Sequence, residues 1–120
     1  MNRLAIVSLA SMLLGIVVPG ALRAQSAAKP GNVENGKQLM VKHGCYQCHG
    51  YLGQGSNAGA KLAPKPMPLA GFTAYVRKPG GVMPPVTAKV VSDQNLADIH
   101  AYLSSIPPAP DPKSIPLLNQ

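Results

Sequence analysis

The chain contains two cysteines, and they stand three apart in Cys45-Tyr46-Gln47-Cys48, with His49 directly after the second. A disulfide enclosing only two residues closes too small a ring to staple a fold, so the pair reads as a redox or attachment motif. On one helical turn, cysteines three apart project to neighbouring positions and the next residue is held close by. This is the Cys-x-x-Cys-His signature of c-type haem attachment, in which Cys45 and Cys48 add to two vinyl groups and His49 ligates the iron. A zinc site would need a second Cys or His pair, and a thioredoxin-like dithiol would need a βαβ pattern. The chain supplies neither.

The rest of the sequence fits that reading. Its 120 residues hold one Phe, four Tyr and no Trp, and many of its apolar residues are Ala and Pro. A domain so small buries little apolar surface, and it generally needs a metal, a cofactor or disulfides to offset conformational entropy. One buried haem c with its iron would supply the missing interior.

The N-terminus reads as an export signal. Asn2 and Arg3 precede an uncharged apolar run from Leu4 to Val18, and Pro19-Gly20 then breaks any helix before Ala21, Ala24 and Ala28. Residues 1–24 are accordingly expected to be a cleaved signal peptide, with cleavage after Ala28 as the other option. An uncleaved anchor is the competing reading, since Leu4 to Leu22 is 19 residues without a charge. Either way the remainder is expected in the periplasm, with membrane association only if the segment is retained. From Gln25 onward nine Lys and Arg oppose four Asp and Glu, which leaves +5 before any haem propionates. That charge favours acidic partners. The scattered aromatics and the absence of a basic cluster argue against nucleic acid.

Along the chain, residues 25–31 read as a mobile linker. Asn32 is placed to cap a helix from Val33 to Lys42, with Val33, Gly36, Leu39 and Met40 on one side. Gly36 costs such a helix roughly 1 kcal/mol against Ala, which points to close approach of another element. Residues 50–68 read as a loop, 69–78 as a short helix with Leu69, Phe72, Tyr75 and Val76 apolar, and Val82-Met83-Pro84-Pro85 as extended. Ser92 caps a final helix over 93–105, in which Leu96, Ile99, Leu103 and Ile106 recur at helical spacing. Residues 107–120 form a Pro-rich tail.

For the sixth iron ligand the reading selects Met83, because Pro84 and Pro85 stiffen the chain that presents its thioether. Met67, between Pro66 and Pro68, is the rival, and Met40 belongs to the buried face of the first helix. His43 and His100 are read as structural. A His/Met pair fills the coordination sphere, so the reading is an electron carrier and not an enzyme.

Over residues 32–106 the sequence resembles the class I cytochromes c. The features that carry the resemblance are Gly36, Cys45 to His49, Met83 in Met-Pro-Pro, and Tyr102 in Ala-Tyr-Leu. It implies an all-α cytochrome c fold, three to four short helices wrapped around one covalently attached haem. It also implies that Gly36 lets the first helix cross the last closely, with Tyr102 packed beside it. Family members often carry Gly-Pro-x-Leu, whose proline carbonyl accepts a hydrogen bond from the axial imidazole. Here the corresponding residues are Gly59-Ala60-Lys61-Leu62, and Ala60 is not assigned to the site. The implied function is one-electron transfer between redox proteins, with a periplasmic dehydrogenase as donor and a terminal oxidase or another cytochrome as acceptor. Lys42, Lys61, Lys65, Lys78 and Lys89 are placed to steer acidic partners. The alternative is a cytochrome c subunit of a multi-subunit periplasmic dehydrogenase complex, suggested by Ile115, Leu117 and Leu118 in the tail.

Overall fold

A computed structural model describes residues 29–118. The expected signal peptide lies outside the described residues, as do positions 25–28 of the linker and the last two residues of the tail. The described residues contain four α-helices in chain order: α1 (Val33–Lys42), α2 (Tyr46–His49), α3 (Leu69–Arg77) and α4 (Asp93–Ser105). Two single 3-10 turns, Pro112–Ser114 and Pro116–Leu118, lie in the tail.

Local chemistry sets the ends of the long helices. The Asn32 side-chain oxygen accepts from the Asn35 N–H at 2.8 Å, and the Ser92 hydroxyl accepts from the Asn95 N–H at 3.1 Å. Each satisfies one of the orphan donors of a helix start. Glu34 and Asp93 sit in the positive first turns of α1 and α4, and Lys42 sits in the negative last turn of α1. Helix α3 ends at Arg77, one residue short of the expected Lys78, whose φ of −140° has left the helical region ahead of Pro79.

Helices α1 and α4 cross at Gly36. A Cβ there would collide with the backbone carbonyl of Asp98 and with the Tyr102 Cβ, so the glycine is the condition of the crossing. Five residues earlier, ahead of α1, Gly31 is pressed against the Ala97 carbonyl and the Ala101 Cβ. The stretch read as a mobile linker is therefore fastened at its end, where the Asn32 N–H and the Lys29 carbonyl also bond to Asp98 and Gln94 of α4.

The core gathers Leu39 and Met40 from α1, Phe72 and Val76 from α3, and Leu96, Ile99, Tyr102 and Leu103 from α4, with Ala63 and Val91 from the loops. Three residues of the expected apolar faces lie outside it: Val33 and Tyr75 are exposed and Leu69 is half-buried, each at the margin of its helix's buried stripe. Helical spacing locates a stripe more sharply than its edges.

Candidate haem site

Helix α2 is a single turn, and it begins two residues after Gly44, whose φ of 72° turns the chain out of α1. It closes at Gly50, where φ is again positive at 74°. Two positive-φ glycines thus set the motif as a short turn between bends, a conformation other residues adopt at a cost. Cys45 is half-buried against the core and Cys48 is exposed, and neither is in a disulfide. Burial pushes the Cys45 thiol above its ordinary pKa, its own backbone hydrogen bond opposing only in part.

The following loop folds back over this turn. The Gly55 N–H donates to the His49 carbonyl at 2.8 Å, and the Ser56 hydroxyl donates to the Cys48 carbonyl at 2.6 Å. Leu62 and Ala63 both donate to the Gly53 carbonyl, at 2.7 and 3.0 Å. A Cβ on Gly59 would sit 2.7 Å from the Cys48 carbonyl oxygen, so only glycine lets the returning strand pass this close.

The return places the Ala60 carbonyl oxygen 2.7 Å from the Nδ1 of His49. A carbonyl only accepts, so Nδ1 carries the proton and donates, and Nε2 is left with its lone pair free for a metal. This fixes the tautomer and orientation a ligating imidazole needs. The sequence has no proline at this position, which is why the sequence reading does not assign Ala60 to the site. The structure shows that the backbone path, and not the proline ring, delivers the acceptor.

Met83 is half-buried and packs against the core cluster. Met67 is 46% exposed. Its sulfur lies near Gly71 of α3, and its carbonyl accepts from the Nε2 of His100 at 2.9 Å. His100 also meets Phe72 edge-on, so it serves as an interhelix tie, as expected. His43 caps the C-terminus of α1, and its Nε2 is enclosed with no hydrogen-bond partner among the described residues. Met40, 1% exposed, is core.

The fit to a haem is good on the chemistry of the donors. Two unpaired thiols on one turn, an imidazole with Nδ1 engaged and Nε2 free, and a half-buried thioether on a proline-stiffened segment are the set that covalent attachment and axial ligation require. The helical fold and this site define the class: a monohaem c-type cytochrome with an all-α cytochrome c fold. The sequence profile of the family described as cytochrome c oxidase, cbb3-type, subunit III matches residues 31–103, and the chain belongs to that family. No curated protein and no solved structure matched the chain. Membership implies a covalently bound haem c with its iron, electron transfer through that haem, and redox proteins as partners.

Proposed function

We propose that this protein is exported to the periplasm and works there as a one-electron carrier, not an enzyme. Its haem c is attached through Cys45 and Cys48 and its iron is held by His49 and Met83. The observation that carries the reading is the hydrogen bond from His49 Nδ1 to the Ala60 carbonyl, because it leaves Nε2 as the ligating atom on the residue next to the second thiol. When bound, the haem supplies reversible one-electron chemistry at the iron, and the chain does the rest. His49, braced by Ala60, presents its imidazole in a fixed orientation with Nε2 toward the iron's place, and Met83 presents a weak thioether that would favour the reduced state relative to a second imidazole. With His49 and Met83 both held to the iron, the chain would leave no position there for a substrate. The positive charge of the chain from Gln25 onward steers acidic redox partners toward it. Export rests on the apolar run Leu4 to Val18 and the small residues that follow it.

A second reading, a cytochrome subunit held in a larger periplasmic complex, is favoured by Leu117 and Leu118, which are 79% and 65% exposed in the tail. The subunit named in the family's description agrees with it. The native mass in cell extract separates the two: a monomer supports the free carrier, and a stable larger species supports the subunit.

The chemical test is a spectrum of the denatured protein made with a competent maturation system. A haem that stays with the polypeptide through acid acetone extraction is expected, and one that is fully stripped would end the proposal. Replacing Cys45 and Cys48 together by Ala is expected to abolish accumulation of folded protein in the periplasm. Met83→Ala is expected to lower the redox potential and remove the Met-to-iron charge-transfer band. An unchanged potential and band would move the assignment to Met67.

A further inference from the structure

The segment that carries Met83 has no regular structure of its own. Between the end of α3 and the start of α4 the chain runs through Pro79, Gly80, Gly81, Pro84 and Pro85. Gly81 has a φ of 68°, and Val82 beside the methionine is 94% exposed. Proline stiffens such a chain but does not fix where it lies relative to the helices. Among the described residues, the position is set by α3. The Val86 N–H donates to the Val76 carbonyl at 3.0 Å, and the Tyr75 hydroxyl makes a longer contact of 3.4 Å with the Gly80 carbonyl.

The side chain of Arg77 adds the strongest part. One guanidinium nitrogen donates to the Val86 carbonyl at 2.8 Å, and the other donates to the Val91 carbonyl at 2.8 Å and to the Asp93 carboxylate at 2.6 Å. A single planar fork thus joins the last residue of α3, both limbs of the segment after Met83, and the first residue of α4. Its rigidity and its several donors are what allow three acceptors to be held at once, which an ammonium on a flexible stem does poorly. The ion pair with Asp93 contributes little by itself, because Asp93 is 71% exposed. The two carbonyls matter more: their hydrogen bonds to Arg77 are partly buried, and they lose their charged donor if the side chain is removed.

We infer that Arg77 is the positioning residue for the sixth ligand: it sets how firmly the Met83 thioether is held toward the iron, without touching the iron itself. The inference rests on the proposal that Met83 is that ligand. Arg77 fixes Val86, three residues after Met83 and directly beyond the two prolines, so its grip is transmitted through the stiffest part of the segment. When the fork is lost, the segment gains alternative positions and the methionine is displaced from the iron more readily.

The test is competition for the ferric iron in the mature haem protein, with imidazole as the added ligand. Its apparent affinity rises by the factor through which methionine binding weakens. Arg77→Gln is expected to raise that affinity about tenfold, the equivalent of one buried hydrogen bond to a charged donor, and to weaken the Met-to-iron charge-transfer band. Arg77→Lys, which keeps the charge but not the fork, is expected to fall between wild type and Arg77→Gln, and it serves in its place if the glutamine variant does not fold. Asp98→Asn, which loosens the α1–α4 contact away from this segment, is the control for general destabilisation and is expected to leave the imidazole affinity unchanged. Wild-type affinity in both Arg77 variants, or an equal rise in Asp98→Asn, would overturn the inference. Met83→Ala separates the two layers. If it keeps the wild-type affinity and band, the ligand assignment fails and the positioning role fails with it. If it raises the affinity while both Arg77 variants do not, only the positioning role fails.

Discussion

Where α1 crosses α4, protein packs on protein: Gly36 lies on the Asp98 backbone, Met40 and Leu103 are enclosed, and the Tyr102 hydroxyl reaches the Tyr51 carbonyl at 2.9 Å. The segments around Cys45 to His49 and Met83 are made differently. They bend at glycines with positive φ, include Pro79, Pro84 and Pro85 around Met83, and are fixed by single hydrogen bonds from side chains and backbone to carbonyls. The first region can be ordered by its own contacts, because close packing and local helical bonds stabilise it together. The second is shaped to receive a group the chain does not itself contain, and its precision lies in a few polar contacts. Substitutions in the crossing are therefore expected to change stability, and those in the loops to change the electronic properties of the iron.

The largest effect is expected at Gly36. Alanine would gain roughly 1 kcal/mol of helix propensity, yet its Cβ would occupy the space of the Asp98 carbonyl and crowd the Tyr102 Cβ. Neither neighbour is the far end of a flexible side chain, so the helices must separate. A net loss of about 2 kcal/mol in denaturant unfolding is expected for Gly36→Ala, and more for Gly36→Leu. A stabilised alanine variant would mean that the crossing is looser than the packing indicates.

Asp98 gives the next effect, and it depends on pH. This buried carboxylate accepts from the Asn32 N–H at 2.8 Å, from Asn35 Nδ2 at 2.6 Å and from Gln94 Nε2 at 3.1 Å. Burial works against its charge, but the three donors outweigh it and hold its pKa below the usual carboxylate value. A group depressed in the folded state contributes stability above its unfolded pKa, roughly 4, and the contribution is lost as pH falls through the lower folded value. Asp98→Asn is expected to cost about 1–2 kcal/mol at neutral pH, and less at about pH 3. Unfolding by urea at the two pH values measures it, and a cost that does not shrink in acid would contradict the assignment.

How far the sequence could be read follows the same division. The spans of α1 and α4, their caps at Asn32 and Ser92, and the glycine at the crossing were legible because each is a local or periodic signal. Residues 50–68 were legible only as a loop, since nothing periodic tells where the chain returns. Gly59 passing the Cys48 carbonyl and Ala60 meeting His49 are contacts between positions eleven apart that only the folded path brings together. Arg77 was counted as a charge and as part of a helix end. Its three acceptors lie nine, fourteen and sixteen residues away, and no spacing rule connects them. Asp98 was missed because a carboxylate within an apolar stripe reads as the polar edge of a helix until its donors from α1 are seen. The candidate donors themselves were legible, because attachment chemistry confines two thiols and an imidazole to five consecutive residues.

The smallest expected effect is the sharpest test of how the loop works. If the backbone path alone delivers the acceptor to His49, then Ala60→Pro should leave the iron unchanged, since proline keeps its carbonyl and loses only an N–H. The preceding residue is Gly59, which tolerates the restriction that a proline places on its neighbour. Stability is expected to stay level or rise by less than about 1 kcal/mol through the smaller entropy of the unfolded chain. The redox potential and the charge-transfer band should both match wild type. A changed potential at unchanged stability would mean that the ring at this position tunes the carbonyl's grip on the imidazole, and that the alanine here is itself a determinant of the potential.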